Sequence, residues 1–282
     1  MNSEFIILNE KYYLKSEPVI KHNNRAFCYG DALFETIHCL GTQAQFPELH
    51  WQRLLKGMKL LKMQAPENLN FSSFTIYIEK LLNKNRIFKG ARIRLAVFRD
   101  DGGFYSPEKN SVSWLMESSA LENEQFKLET KGLLIDIYDE VHKPVNLLSN
   151  LKTSNSLIFI LAGIFRKENK LDECLILNQY GRICESLNSN VFLAKNNKIF
   201  TPPLTEGCIE GTMRYTIIGL AKEIGYDVEE KGILENNFLE ADEIILTNAI
   251  QGIRWVGAYK DRRYYNFISR KLVIALNQRA FT

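Results

Sequence analysis

GCIEGTMRYTIIGLAKEIG, residues 207–225, joins a glycine-bounded loop directly to an amphipathic helix. Met213, Ile217, Leu220, Ala221 and Ile224 recur at helical spacing and give residues 212–224 a buried stripe. The first N–H groups of such a helix have no intrahelical acceptor, and their dipoles add, so they suit a phosphate. Gly211 allows the backbone to approach a ligand closely. Taken alone, the pattern also fits an ordinary turn before a helix.

Working outward, strands and helices mix on both sides of this stretch. Lys131–Tyr138, Cys174–Asn178 and Val191–Lys195 read as strands, the last entering a tight turn at Asn196-Asn197 and returning through Ile199-Phe200. Leu157–Lys167 and Phe267–Gln278 read as helices, and Glu243–Thr247 as a strand. In the first half, Phe5–Leu8, Leu33–Leu40, Arg92–Arg99 and Val112–Met116 read as strands. Residues 49–63 and Phe71–Leu82 are helical, the former through Leu54, Leu55, Met58 and Leu61 on one face. The absence of a regular βαβ rhythm predicts an α+β fold rather than a doubly wound sheet. The polar, aperiodic stretch SSALENEQ, residues 118–125, reads as a linker between a domain at 1–117 and a second at 126–282.

Composition narrows the class. The 282 residues are 45% apolar and 24% charged, as in a soluble globular protein. With 36 basic and 33 acidic residues the net charge is +3, and no block of like charge forms a nucleic-acid arm. The five cysteines, Cys28, Cys39, Cys174, Cys184 and Cys208, are odd in number and contain no Cys-x-x-Cys pair. A zinc site or disulfide framework is not expected, and no metal ligand set is assigned. The N-terminal segment lacks a signal-peptide apolar core and no run is long enough to span a membrane, so a cytoplasmic protein is expected.

Three further residues could carry chemistry with the Gly211 loop. Lys152, in NLKTSNSL, stands at an element boundary, where a lysine can act as a Schiff-base nucleophile, although most lysines are simply solvated. Glu185, in CESLNSNVF, lies just before a strand. A carboxylate there could keep a pyridinium ring protonated, or could be a surface acid. Arg53, in LHWQRLL, lies beside the apolar face of its helix and could grip a phosphate bidentately, or stay exposed. His38 and His142 read as structural or surface histidines.

Six segments in this order resemble the class IV pyridoxal-phosphate aminotransferases, the fold-type IV group of branched-chain aminotransferases, D-amino acid aminotransferases and 4-amino-4-deoxychorismate lyases. They are NNRAFCYGDALFET (23–36), HWQRL (50–54), LKTSNSL (151–157), ESLNSNVF (185–192), GCIEGTMR (207–214) and LTNAIQGIRWV (246–256). The resemblance implies two α+β domains with pyridoxal 5'-phosphate in the cleft between them, and commonly a homodimer. It implies that Lys152 carries the cofactor as a Schiff base and moves protons on the substrate. Glu185 would pair with the pyridine nitrogen. Arg53, the Gly211–Thr212–Met213 backbone and the Asn248–Ala249 turn would hold the phosphate, and Asn190, in the glutamate segment, joins the cofactor set.

Within the family, the substrate is read from smaller signals. Thr153, Ser154, Asn155, Ser156 and Leu157 follow the lysine, where branched-chain enzymes usually have glycines and a tyrosine, and Ser186 replaces their usual glycine after the glutamate. FRDDGGFYSP (98–107) and LTNAIQGIRWV look like lyase segments, except that Phe104 stands where the lyase loop commonly has an arginine. Arg94 and Arg99 are the alternative candidates for a dicarboxylate pocket that Tyr29 and Tyr105 could line. Arg92 and Arg94 share one strand face and could equally be solvated there, while Arg99 points the other way. The expected activity is therefore the lyase reaction, releasing p-aminobenzoate and pyruvate from a small amino substrate. The alternative is a transaminase of branched-chain or D-amino acids. A non-catalytic homologue that binds a phosphate ligand is a remote third reading.

Overall fold

The computed structural model describes residues 4–281. The chain forms two compact units, and both mix strands with helices as an α+β fold requires. The first holds residues up to Gln125 together with Lys152–Asn155 and Phe281. The second holds Phe126–Leu151 and Ser156–Ala280.

The first unit contains strands β1 (Phe5–Leu8) and β2 (Lys11–Leu14), helix α1 (Arg25–Tyr29), strands β3 (Ala32–Leu40) and β4 (Gln43–Ala44), helices α2 (Pro47–Leu60) and α3 (Phe71–Asn85), and strands β5 (Gly90–Arg99) and β6 (Val112–Ala120). Its six strands pair antiparallel in the order β2-β1-β6-β5-β3-β4. Helix α3 starts with a capping box, in which the Ser73 N–H donates to Asn70 Oδ1 at 3.0 Å and the Asn70 N–H donates to Ser73 Oγ at 2.8 Å. It buries Phe74, Ile78, Leu81 and Leu82 along one stripe. Each such side chain is worth roughly 1.5–3 kcal/mol of burial, so the stripe fixes the helix against the sheet far more firmly than its cap does. Strand β6 runs on through Ser118, Ser119 and Ala120, which pair with Ile93, Arg92 and Ala91. Those three residues of the polar 118–125 stretch thus belong to the sheet. Ser118 fits there because its Oγ accepts a hydrogen bond from Asn85 Nδ2 at 2.8 Å.

The second unit contains β7 (Leu133–Lys143), α4 (Leu157–Glu168), β8 (Glu173–Asn178), β9 (Ile183–Ser186), β10 (Asn190–Lys195), β11 (Lys198–Thr201), α5 (Thr212–Glu223), β12 (Asp227–Glu230), α6 (Glu235–Glu240), β13 (Glu243–Asn248), β14 (Gly252–Tyr259), β15 (Arg262–Arg263) and α7 (Phe267–Phe281). Its sheet runs β12-β11-β10-β13-β14-β7-β8-β9, with β15 on β14. The parallel pairs β7–β8 and β11–β12 each need a crossover, which α4 and α5 supply. Each crossover opens with a loop that the sequence singles out: Lys152 precedes α4 and Gly211 precedes α5. Strands β10 and β11 form the hairpin expected at Asn196-Asn197, both with positive φ, 51° and 62°.

Two elements differ from the expectation. Glu185 stands inside β9, not ahead of a strand. Four residues of mixed polarity give no periodic signal, and β9 exists because Leu175 and Ile176 of β8 offer it a ladder. All of GIRWVGAY, to which the sequence reading assigns no strand, is β14, held by antiparallel pairing to β13 and parallel pairing to β7. Pairing with partners distant in sequence decides both cases.

Candidate active site

The lysine corner lies in the first unit. The Lys152–Ser154 backbone is fastened to β3: the Phe34 N–H donates to the Lys152 carbonyl at 3.0 Å and the Ser154 N–H to the Ala32 carbonyl at 3.0 Å, bridging Leu33 and Thr153. Asn155 Nδ2 donates to the Gly30 carbonyl at 3.1 Å. Gly30 has φ +65°, and a Cβ there would lie 2.8 Å from Asn155 Oδ1, so glycine is required on both counts. The Lys152 Nζ is 4.4 Å from the centroid of the Phe34 ring, and the Arg94 guanidinium carbon is 5.1 Å from the same ring. One aromatic ring thus lies close to both the proposed nucleophile and one of the two candidate substrate arginines. Arg94 also faces Glu117 at 3.7 Å and is only partly buried.

Behind the lysine is an acid that sequence reading did not single out. Glu35, on β3, is 2% exposed and takes Arg53 Nε at 2.8 Å on one oxygen and Arg53 Nη2 at 2.5 Å on the other. His50 and Arg53 are three residues apart on α2, hence on one helix face, and His50 Nδ1 meets Glu35 Oε2 at 2.6 Å. Burial pushes the Glu35 carboxyl up, but the charge and hydrogen bonds of Arg53 and the hydrogen bond of His50 outweigh it and hold it down at about 2. Burial lowers the His50 imidazole. The Glu35 bond opposes this, and the Arg53 and Lys152 charges reinforce it. A neutral His50 facing an ionised carboxylate must carry its proton on Nδ1. Arg53 is thereby held bidentately at a fixed angle.

Arg99 has a different place from Arg94. It is buried, with Nε donating to Asp31 Oδ2 at 2.9 Å, Nη1 to Asn110 Oδ1 at 2.6 Å and Nη2 to the Leu61 carbonyl at 2.7 Å. Asp31 Oδ2 also accepts Arg25 Nε at 2.9 Å. Arg25 Nη1 collects the Gly102, Gly103 and Phe104 carbonyls at 3.0, 3.2 and 2.7 Å. Two arginines therefore share the aspartate of the GDALFET segment, and the glycine-pair loop hangs from Arg25, a residue not foreseen. Phe104 and Tyr105 are 81% and 91% exposed, with the Tyr105 ring 5.7 Å from that of Tyr29.

The acid corner lies in the second unit. Glu185 Oε2 accepts the Ile209 N–H at 3.0 Å, and Oε1 is ion-paired to Lys143. Asn190, at the start of β10, donates from Nδ2 to the Ile209 carbonyl at 2.9 Å. A Cβ on Gly211 would stand 1.9 Å from Asn190 Oδ1, so any other residue there must displace the Asn190 carboxamide. Gly211 is the N-cap of α5 and brings no side-chain cap; Thr212 and Met213, both buried, begin the helix. Opposite Asn190 in the β10–β13 register is Thr247, whose hydroxyl is buried without a hydrogen-bond partner. Next to it, Asn248 Oδ1 accepts the Ile250 and Gln251 N–H groups at 3.0 and 2.8 Å, and its Nδ2 donates to Ser189 Oγ at 3.0 Å. The Asn248 carboxamide therefore shapes the turn that contains Ala249. An uncapped helix start, a cradle that a Cβ would fill and an orphaned hydroxyl fit a phosphate, and the buried Glu185 fits a ring nitrogen.

Gly211→Ala is expected to weaken cofactor retention about tenfold or more, because the added methyl must displace Asn190 from the helix start. Gly219→Ala, in the same helix with nothing within 4 Å of the new methyl, is expected to leave retention unchanged and raise stability by about 0.5–1 kcal/mol. Dissociation constants from cofactor titration and denaturation midpoints of both variants check the pair.

A model of the amino-transferase class IV family matches residues 32–259. The chain belongs to this family. Its members are pyridoxal-phosphate-dependent enzymes, so the class IV chain described here is an enzyme of that kind. It is 27% identical over 248 residues to the aminodeoxychorismate lyase of Bacillus subtilis, covering 87% of this chain and 83% of that one. It is 23% identical over 252 residues to the D-alanine aminotransferase of Bacillus licheniformis, covering 86% and 84%. The branched-chain amino acid aminotransferase of Escherichia coli has the same fold, with a TM-score of 0.85 at 22% identity over 96% of this chain and 92% of that chain. Class IV relatives thus carry both lyase and transaminase names. Among the described residues no three His, Cys, Asp or Glu side chains cluster as a metal site, and no helix is long and apolar enough to cross a membrane.

Proposed function

We propose that this class IV enzyme binds pyridoxal 5'-phosphate and uses it as a 4-amino-4-deoxychorismate lyase, forming p-aminobenzoate and pyruvate. The observation that carries the lyase reading is the turn built on Asn248, whose carboxamide makes hydrogen bonds to the Ile250 and Gln251 N–H groups and to Ser189. Aminotransferases of the family tend to carry threonine-containing versions of this turn. The lysine segment Lys-x-x-Asn-x-Leu supports the same reading through Asn155, which ties it to Gly30.

When bound, the cofactor supplies the electron sink for a carbanion at the substrate amino carbon. Lys152 would carry it, take the proton from that carbon and give one to the departing enolpyruvyl group, which leaves as pyruvate as its oxygen–ring carbon bond breaks. Glu185 accepts the proton-bearing pyridine nitrogen as a hydrogen-bond donor. Arg53, the Gly211, Thr212 and Met213 backbone, and the Asn248–Ala249 turn hold the phosphate, with Thr247 as an additional hydroxyl donor. Asn190 keeps the Gly211 loop in register through Ile209. Arg94 is the proposed contact for a substrate carboxylate, and Tyr29 and Tyr105 are the proposed lining residues of the same pocket. Arg99 is assigned no such role, because its guanidinium is committed to Asp31, Asn110 and the Leu61 carbonyl.

The lyase needs no second substrate, whereas a transaminase of branched-chain or D-amino acids, the reading that the D-alanine aminotransferase relative favours, needs a keto acid to turn over. The test is the cofactor-loaded protein with freshly made aminodeoxychorismate and no keto acid, followed by p-aminobenzoate fluorescence. Many turnovers support the lyase. No product from a protein that holds the cofactor gives the site to a transaminase.

We further propose a homodimer in a reducing, cytoplasmic compartment. Helix α4 exposes Leu157, Ile160, Leu161 and Ile164 at helical spacing, a stripe that a second copy would cover, and all five cysteines are free thiols. Ile160→Glu is expected to halve the mass measured by light scattering at micromolar concentration. A variant that stays dimeric would move the interface elsewhere.

A further inference from the structure

Lys143 closes β7 and Glu185 sits on β9, with β8 between the two strands in the sheet. The Lys143 ammonium is paired with Glu185 Oε1 and lies 5.4 Å from the Phe159 ring centroid, and the two residues are 6% and 3% exposed. Taking two charges this far from water costs several kcal/mol each, and an apolar pair of the same volume would fill the space at less cost. Packing alone therefore does not account for the pair, whereas its position on the carboxylate assigned to the pyridine nitrogen does.

We propose that Lys143 is a positioning residue that fixes the orientation of the Glu185 carboxylate and tempers how strongly it holds the proton of the pyridine nitrogen. This rests on the assignment of Glu185 to that nitrogen. A carboxylate offers about four acceptor positions. The Ile209 N–H takes one on Oε2 and Lys143 one on Oε1, which orients the group and leaves capacity for a ring N–H. A cation on one oxygen draws charge from the other, so the ring proton is held less tightly than by a lone buried carboxylate. The other titratable groups around it do not compete. Burial pushes up the thiols of Cys174, Cys184 and Cys208, the first and last to about 12, and also the Tyr138 hydroxyl. Arg214 is committed to Glu230 and the Pro202 carbonyl.

The test uses protein loaded with pyridoxal phosphate labelled with 15N in the ring, its nitrogen resonance followed against pH. Lys143→Met is expected to raise the pH midpoint at which the nitrogen loses its proton by about one unit or more, the size of one charge at short range in a protein-like dielectric. Lys143→Arg is expected to restore the midpoint. If Lys143→Met does not fold, Lys143→Gln, which keeps a donor without the charge, is read by the same midpoint. A midpoint unmoved by loss of the charge, with Glu185→Gln stripping the nitrogen of its proton at neutral pH, makes Lys143 a purely structural partner and overturns the proposal alone. A nitrogen that titrates in Glu185→Gln as in the unsubstituted protein overturns the Glu185 assignment itself, and the Lys143 role with it.

Discussion

Lys152→Ala is expected to lower p-aminobenzoate formation roughly 10³-fold or more, because one side chain is asked both to carry the cofactor and to move the proton. The variant should remain folded. The segment is held to β3 by the Phe34 and Ser154 backbone bonds and to Gly30 by Asn155, none of which uses the lysine side chain. What is lost locally includes the Nζ contact with Phe34 and the lysine charge near His50. Loss of turnover together with an unchanged melting transition would tie the defect to chemistry. Turnover retained within tenfold would remove Lys152 from the reaction.

Glu35→Gln is expected to destabilise the first unit by about 3 kcal/mol, towards the low end of what removing one charge from a buried ion pair costs, since the Arg53 side chain keeps 10% exposure. Arg53 would keep its charge and lose the carboxylate that takes both its Nε and its Nη2, and His50 would lose the acceptor that fixes its tautomer. Cofactor affinity should fall with it, since Arg53 would no longer be held at one angle. The pH dependence has a definite direction. A carboxyl lowered from 4.5 to about 2 in the folded protein contributes stability that is fully present above the ordinary value and lost as pH falls towards 2. The stability gap between the unsubstituted protein and Glu35→Gln should therefore be widest near neutral pH and close between about pH 4.5 and 2. Urea unfolding at a series of pH values measures it, and a gap that does not narrow on acidification would show that the Glu35 charge is not what stabilises this corner.

The helices were the most legible part of the sequence, and for a simple reason. Phe74, Ile78 and Leu82, or Met213, Ile217 and Leu220, repeat at 3.6 residues because each helix buries one stripe, so local order and burial agree. Strand β9 is the opposite case. Nothing within ICES requires a strand, and only its ladder to β8 makes one. The same contrast runs through the site. Lys152, Glu185 and Gly211, the proposed cofactor residues, are each singled out by a short motif recognisable within a few residues. Their supporting partners were not, because those are fixed by topology. Lys143 is 42 residues from Glu185 in sequence and is one of 36 basic residues.

Glu35 carried a signal that could have been used. It alternates with Leu33 and Ile37, both buried, so a charged residue on that face demands a partner, and the sequence puts Arg53 beside the apolar side of its helix. Arg99 shows the reverse. Its direction on β5, opposite to Arg92 and Arg94, follows from strand alternation. Its destination, however, depends on Asp31, which the GDALFET segment displays without revealing that two arginines share it.

The most direct measurement is chemical. The cofactor-loaded protein is reduced with borohydride, digested and sequenced by mass spectrometry to find the lysine that carries the phosphopyridoxyl group. The account predicts a single modified peptide with the group on Lys152. Modification of Lys143, the buried lysine beside the assigned glutamate, or of any other lysine, would contradict it.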